Sequence, residues 1–261
     1  MITVFMFIIG LAFGSFVNAF VWRLKKNKNW VSGRSICTYC KHKLASKDLI
    51  PVVSWLTLRG KCRYCHKKID DSPLTELAVG AIFASSYRFW PFVLSGEGWF
   101  MLVVWLIAVV LLAAMFLYDV KWMILPNKLT YALLALAIVQ VLILFVIKDF
   151  DFETLKLALF SSAVGGGLFH LIYLGSKGKY IGGGDVKLGY AYGLLLLDPI
   201  LPWLALIVAS TTGSLIAIFL LANKRAKFGT KLPFGPMLIG GVLVAMIWGS
   251  RLWDFTGRLW Y

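Results

Sequence analysis

Long apolar runs separated by short polar stretches fill most of this sequence. Several of these runs approach about 20 uncharged residues, the length that an α-helix needs to cross the apolar core of a bilayer. The pattern predicts about eight membrane helices, at residues 1–24, 73–94, 99–118, 129–147, 155–174, 185–197, 202–222 and 236–254. We therefore expect an all-α polytopic membrane protein.

One polar stretch is long enough to form a module outside the membrane. Residues 25–72 carry the densest group of Lys and Arg in the chain, and all the cysteines lie there. The stretch is too short to bury a large apolar core, so a folded module needs a metal or a cross-link. We expect three parts: a first transmembrane helix at 1–24, a cytoplasmic zinc-binding loop at 25–72, and a seven-helix membrane domain at 73–261.

Composition and charge point to lipid as the main surroundings of the chain. The sequence is 60% hydrophobic with a mean hydropathy of +0.80, whereas soluble domains are about half apolar. A net charge of +15 would suggest nucleic acid as the partner of a soluble protein. Here the basic residues gather in 25–72 and in the loops near 121–128, 177–187 and 224–231, as expected for cytoplasmic loops. We therefore predict contact with membrane lipid, no nucleic-acid partner, and both termini on the opposite side.

The cysteines form two CxxC pairs, Cys37 with Cys40 and Cys62 with Cys65. Two such pairs suit a tetrahedral Zn²⁺ site, and a cytoplasmic position argues against disulfides. Four sulfur ligands leave no open coordination position, so the predicted zinc is structural rather than catalytic. His66 is an alternative ligand, although it is more simply a solvated loop residue. Four reduced cysteines without a metal are the plain alternative.

Acidic residues at the inner ends of the predicted helices are candidates for catalysis, because charge near a membrane is costly and usually functional. Glu76, Asp119 and Asp185 take such positions. Asp119 directly follows the predicted helix 99–118 and Asp185 opens the predicted helix 185–197, so the two can meet at one depth. Two carboxyl groups in one site share a proton: one can activate water while the other polarises a peptide carbonyl. The pair predicts peptide hydrolysis without a covalent intermediate.

A glycine run leads into the second aspartate. Gly182, Gly183 and Gly184 precede Asp185, and glycine permits positive φ and the close approach of an extended substrate strand. Lys187 lies two residues beyond Asp185 and is expected to pair with an acid or to mark the inner membrane boundary. These glycines and this lysine form a candidate substrate-binding loop.

Other protein classes fit some of these features. A polytopic transporter or channel with a cytoplasmic zinc module would also have a broken, glycine-rich helix, but its charges would lie at the membrane midplane. A zinc metalloprotease would need an open HExxH-type site, and His42, His66 and His170 lack that spacing. Asp185 could also be a plain helix cap, and Asp119 a loop acid paired with a nearby lysine.

Several segments, taken in order along the chain, resemble the prepilin leader peptidases, a family of membrane aspartyl proteases with a GxGD motif. The segments are GSFVN at 14–18 with WRL at 22–24, the two CxxC pairs, DLIPVVSW at 48–55, RGKC at 59–62, Asp119 with Pro126 and Asn127, GGGDVK at 182–187, and PFGP at 233–236. The resemblance implies that Asp119 and Asp185 are the catalytic pair.

The resemblance also implies a substrate, a location and a second reaction. Such enzymes remove the leader peptide of type IV prepilins and pseudopilins at the cytoplasmic face of a bacterial inner membrane. Many also methylate the new N-terminus with S-adenosylmethionine, which implies roles for Gly60, Lys61 and Glu76. The family's usual segment ahead of that glutamate contains an Arg-Tyr pair, whereas this chain has DDSPLTE at 70–76, which is one residue shorter and lacks the pair, a departure that bears on methyl transfer.

Overall fold

The structure is a computed structural model that describes residues 1–29, 33–69, 72–225, 227, 230 and 232–257. Its helices are α1 (Ile2–Lys25), α2 (Val53–Thr57), α3 (Leu74–Arg88), α4 (Gly96–Trp122), α5 (Asn127–Ile147), α6 (Phe152–Ser176), α7 (Gly183–Leu196), α8 (Ile200–Ala222) and α9 (Gly235–Gly257), with a 3-10 turn at Ser46–Asp48. The described residues contain no β-strand, only isolated bridges. The prediction of an all-α protein is confirmed. Asp70 and Asp71, part of the departure at 70–76, lie outside the described residues.

Two helices differ from the prediction at the ends that carry the aspartates. α4 continues to Trp122, so Asp119 lies inside its last turn rather than after it. The helix ends at Met123, which has a left-handed backbone and donates its N–H to the Asp119 carbonyl at 2.7 Å. α7 begins at Gly183, so Asp185 is its third residue rather than its first.

Among the described residues, five helices are long and apolar enough to cross a membrane, namely α1, α4, α5, α6 and α8. The apolar part of α9, Gly235–Gly249, is shorter, and α7 has only 14 residues. α3 ends at Arg88 rather than near residue 94, because a proline at position 91 disfavours helical geometry in the residue before it. The helices therefore fit a multi-pass membrane protein, while the number of eight spans stays a prediction.

The first of two compact units comprises Met1–Arg88. Within it α1 packs on α3, and glycines set the separation of the two helices. An added Cβ at Gly10 would lie 2.7 Å from the Cα of Gly80. One at Gly14 would lie 2.5 Å from the Cα of Glu76. Small residues allow membrane helices to approach this closely, so the glycine of the GSFVN stretch has a packing role.

The second unit, Phe89–Tyr261, contains α4 to α9. α7 packs against α5 and α6, and most of its residues are buried. On the α6 side, the Ser161 hydroxyl donates to the Gly193 carbonyl at 2.7 Å. On the α5 side, the Gln140 amide donates to the Leu195 carbonyl at 3.2 Å. These contacts hold α7 between its neighbours and so fix the position of its first turn.

Candidate active site and cysteine cluster

Asp119 is buried in the last turn of α4, with 5% of its surface exposed. Its carboxylate lies against Gly235, the first residue of α9. A helix N-terminus has unpaired N–H groups and a partial positive charge, so it stabilises a carboxylate. A Cβ at Gly235 would lie 2.5 Å from the Asp119 Oδ2 atom. The contact therefore depends on a glycine.

Asp185 lies in the first turn of α7 and is partly exposed. Its carboxylate lies close to Gly182, the residue that precedes α7, and a Cβ added there would lie 3.4 Å from the Asp185 Oδ2 atom. The backbone N–H of Asp185 donates to the Gly182 carbonyl at 3.1 Å. The second aspartate is thus also held at a helix N-terminus.

Leu125, between α4 and α5, lies where the two aspartates come together. A Cβ at Gly184 would lie 2.9 Å from the Leu125 Cβ atom, and one at Gly235 would lie 3.4 Å from its Cδ2 atom. The leucine side chain therefore contacts both the first turn of α7 and the start of α9. The carboxyl groups of Asp119 and Asp185 are close enough for a Coulombic interaction. The structure brings the two predicted acids into one site.

The glycines before Asp185 form the start of α7 rather than a loop. Gly182 has an extended backbone with a φ of −75°, and Gly183 and Gly184 already belong to α7. None of the three has the positive φ that glycine permits. Gly184 must lack a side chain for another reason, which is its contact with Leu125.

Lys187 joins α7 to the start of α5. Its ammonium group donates to the Asn127 Oδ1 atom at 2.8 Å and lies 4.9 Å from the centre of the Tyr131 ring. The expected acidic partner is thus replaced by an amide oxygen and a cation–π contact. Asn127 follows Leu125 by two residues, so the contact with Lys187 helps to hold Leu125 in its position between the two aspartates.

In the first unit, the cysteines come together in one cluster, and their sulfur atoms all lie within 4.8 Å of one another. All four are free thiols, and Cys37 and Cys62 are buried. The two pairs are built alike: the Cys37 N–H donates to the His42 carbonyl, and the Cys62 N–H donates to the Lys67 carbonyl. Four thiols at these distances can hold one tetrahedral metal ion.

The residue that follows each cysteine pair has a left-handed backbone, with φ of 60° at Lys41 and 58° at His66. Both residues are exposed. His66 therefore shapes its turn and lies outside the four-cysteine cluster.

The thiol of Cys37 is suited to act as a ligand at neutral pH. Burial raises its pKa, but hydrogen bonds from the backbone N–H groups of Cys40 and Tyr39 outweigh burial and lower the pKa to about 7. The thiolate is the form of cysteine that binds metals.

Asp48 anchors the second cysteine pair, and its side chain is 3% exposed. It accepts hydrogen bonds from Arg63 Nε at 2.7 Å, from the Tyr64 hydroxyl at 3.2 Å and from the Ala45 N–H at 3.2 Å. Burial alone would raise the pKa of Asp48, but these donors and the charge of Arg63 hold it below its usual range. The buried carboxylate is therefore ionised and fully engaged.

A cavity of about 210 Å³ opens beside the cysteine cluster, with all its walls in the first unit. Glu76 lines it, and the Glu76 Oε2 atom accepts the Val52 N–H at 2.6 Å. Trp55 also lines it, with its ring 2.9 Å from where a Cβ of Gly60 would lie. Of the residues linked to methyl transfer by resemblance, Glu76 lines the cavity and Gly60 supports one wall. Lys61 is not among the described lining residues.

Comparison with known proteins identifies the family. Residues 8–90 match the model of the bacterial peptidase A24 N-terminal domain, and residues 106–222 match that of the type IV leader peptidase family. The prepilin leader peptidase/N-methyltransferase of Stutzerimonas stutzeri is 31% identical over 94% of this chain and 90% of its own length. This chain belongs to the type IV leader peptidase family.

Other relatives agree with this family assignment. Proteins of the same name are 31% identical in Pseudomonas aeruginosa, over 94% of this chain and 90% of the relative, and 30% identical in Vibrio cholerae, over 89% and 91%. No solved structure matches. The family makes the chain a peptidase, and nothing in these comparisons supports the transporter or channel alternative.

Two contacts at the aspartates of this leader peptidase were not predicted from the sequence. The role of Gly235 could have been found from the sequence, because this glycine lies in the PFGP stretch at 233–236, next to the last predicted helix. The role of Leu125 could not, because a leucine in an apolar segment is indistinguishable from an ordinary packing residue.

Replacing Gly235 tests whether the start of α9 positions Asp119. We expect Gly235→Ala to lower the rate of peptide cleavage by about 100-fold, because the added Cβ displaces the carboxylate and small displacements in active sites are costly. The measurement is kcat/KM on a leader-bearing substrate in detergent.

The matched control is Gly240→Ala on the same helix, where an added Cβ meets nothing within 4 Å. We expect this variant to keep its rate within about twofold, since alanine is at least as good a helix former as glycine. Equal rates for the two variants would contradict the positioning role of Gly235.

Proposed function

We propose that this chain cleaves the leader peptide of type IV prepilins or pseudopilins, with Asp119 and Asp185 as the catalytic pair. The observation that carries the proposal is the approach of two carboxyl groups from different helices, Asp119 beside the start of α9 and the partly exposed Asp185 in the first turn of α7. The relatives from three bacteria, all named prepilin leader peptidases, supply the substrate class.

The chemistry follows from the shared proton of the pair. The ionised carboxylate takes a proton from a water molecule while the water oxygen attacks the scissile carbonyl. The protonated carboxyl group donates to the carbonyl oxygen, which stabilises the tetrahedral intermediate. On collapse, the C–N bond breaks and a proton passes to the leaving amine, so that the pair returns to its first state. Asp119 lies against the first residue of α9 and Asp185 lies in the first turn of α7, so both carboxyl groups are beside helix N-termini.

We place this site at the cytoplasmic face of a bacterial inner membrane. Lys121 lies in the last turn of α4 and Lys128 in the first turn of α5, and Lys179 and Lys187 flank the start of α7. Basic residues collect on the cytoplasmic side of membrane proteins. The aspartates lie at the same helix ends as these lysines, so cleavage would occur where a substrate's basic leader meets the membrane.

We further propose that the cysteine cluster holds a structural Zn²⁺ ion. Four thiols with sulfur atoms within 4.8 Å of one another match the preferred ligands and geometry of zinc. The first unit is small, and metal binding is a common way to stabilise a module of this size.

N-methylation of the new N-terminus is a second activity, favoured by the cavity in the first unit and by the names of the relatives. Trp55 and Glu76 line the cavity, so an aromatic residue and an acidic residue are present to bind S-adenosylmethionine. When bound, this cofactor supplies an electrophilic methyl group that a neutral amine can take from the sulfonium, leaving a thioether. Glu76 would hold the positive charge near the donor, and Gly60 would position Trp55.

Asp119→Asn and Asp185→Asn test the catalytic pair. We expect each change to lower the cleavage rate by about 100-fold or more, because an amide cannot exchange the shared proton. Cleavage of a prepilin in detergent, followed by mass, gives the rate.

Asp198→Asn is the matched control, because Asp198 accepts the Ile200 N–H at 2.7 Å and an amide oxygen can accept the same bond. It should cleave within about twofold of the wild-type rate. Near-normal cleavage by Asp119→Asn or by Asp185→Asn would refute the assignment of the pair.

Metal analysis tests the cysteine cluster. We expect about one zinc ion per chain in protein purified without chelators, and a marked loss of zinc and of thermal stability in Cys37→Ser. Thr38→Ser, a change of the adjacent residue, should keep both. The zinc proposal fails if the wild-type protein carries no near-stoichiometric zinc, or if Cys37→Ser keeps its zinc and stability.

A further inference from the structure

The DLIPVVSW stretch at 48–55 runs into α2 and exposes apolar side chains that the proposed cleavage leaves without a role. Leu49, Ile50, Val53 and Leu56 have 42%, 49%, 54% and 59% of their surfaces exposed. Single exposed apolar residues are ordinary, whereas a group of them on one short segment marks a contact surface. We call these four side chains the apolar face.

The short helix α2 has two different sides. Ser54, Trp55 and Leu58 line the cavity of the first unit. Val53 and Leu56, three residues apart and therefore neighbours on the helix surface, are exposed and are not among the lining residues. α2 therefore packs on its own module with one side and presents apolar side chains outward with the other.

The depth of this segment relative to the membrane follows from its contact with α3. The Val52 N–H donates to the Glu76 Oε2 atom at 2.6 Å, and Glu76 lies in the first turn of α3. The backbone of Glu76 packs against Gly14 of α1. Gly14 lies nine residues before Arg23, the first basic residue of this candidate span. That separation is about 13 Å along the helix axis.

Arg23 and Lys25 in the last turn of α1 mark the membrane boundary, because basic residues collect there. The attachment point of α2 on α3 therefore lies on the membrane side of this boundary. The cavity agrees with this placement, because Ser15 and Asn18 of α1 form its walls together with Trp55 of α2. The module thus extends beside the inner part of α1, and its apolar face lies at the depth of the lipids.

Charge around the apolar face suits an anionic lipid surface. Lys47 and Arg59 flank it in the sequence, and both are exposed. Asp48, the acid next to Leu49, is 3% exposed and paired with Arg63. Exposed apolar side chains with basic neighbours are typical of segments that lie in the membrane interface.

We propose that the apolar face inserts into the lipid leaflet beside α1 and α3, with Lys47 and Arg59 at the anionic headgroups. The segment 49–56 is then an interfacial anchor that holds the cysteine module and the α2 wall of its cavity at the membrane. This inference is independent of the proposed cleavage and of the proposed methyl transfer.

A strained turn ties this anchor to α3. Val52 has a φ of +59°, which is rare for a β-branched residue, and the next N–H, that of Val53, donates to the Pro51 carbonyl at 2.6 Å. Such strain persists only where the surroundings fix the conformation, and here the hydrogen bond from Val52 to Glu76 supplies that restraint.

Photolabelling from the lipid tests the anchor in the full-length protein. The protein is placed in nanodiscs of phosphatidylethanolamine and phosphatidylglycerol, with a small share of phosphatidylcholine that carries a diazirine in the upper part of one acyl chain. Adducts are located by mass spectrometry after digestion. We expect adducts on residues 49–56, at least about fivefold more than on the exposed residues 41–43, because only inserted side chains meet the acyl chains.

The double variant Val53→Glu/Leu56→Glu should lose about fivefold or more of the adducts on 49–56, because charged side chains are expelled from the apolar phase. Lys43→Glu is the control, since Lys43 is exposed and neither lines the cavity nor belongs to the apolar face. It should keep these adducts within about twofold. Elution volume and thermal stability show whether each variant is folded.

Adducts on α1 prove that the probe reaches the protein. With those present, absence of adducts on 49–56 in the wild-type protein would overturn the proposal, and so would equal labelling of this segment in the folded double variant. A benzophenone amino acid at position 56 gives a further answer and should cross-link to lipid. Cross-links to the second unit, to a second copy or to added prepilin in place of lipid would assign the face to a protein contact and overturn the anchor.

Discussion

A carboxylate inside an apolar helix bundle needs a compensating positive potential, and this need organises the second unit. Asp119 lies against Gly235 at the start of α9, and Asp185 lies in the first turn of α7 beside Gly182. Each acid is therefore placed at the positive end of a helix, where negative charge is stabilised. The glycine at 235 and the contacts of Leu125 follow from this arrangement, because two helix starts must converge on one site.

The first unit stabilises its buried carboxylate with hydrogen-bond donors. Asp48 accepts three hydrogen bonds and the cysteine pairs form matched turns, so a small module gains order from polar contacts rather than from a large core. The indole N–H of Trp55 is an exception, since it is buried without a hydrogen-bond partner among the described residues.

The sequence predicted what local patterns encode. Apolar runs predicted most of the helices, and CxxC spacing predicted the cysteine cluster, because both depend on residues close in the chain. It did not predict that Asp119 lies within α4 and against Gly235, since that contact joins residues more than a hundred positions apart. The contacts of Leu125 are likewise tertiary and leave no periodic signal. The sequence pattern suggested that the glycines before Asp185 are needed for their freedom of φ. In the structure, Gly184 is needed because a side chain there would collide with Leu125.

The central claim is that Asp119 and Asp185 act together on one scissile bond. Its most direct test is the affinity of a prepilin peptide in which a hydroxyethylene group replaces that bond and mimics the tetrahedral intermediate. If both carboxyl groups contact this hydroxyl, Asp119→Asn and Asp185→Asn should each weaken binding by about tenfold or more, and by similar factors. Wild-type affinity in either variant would show that its aspartate lies outside the reacting centre and would contradict the account.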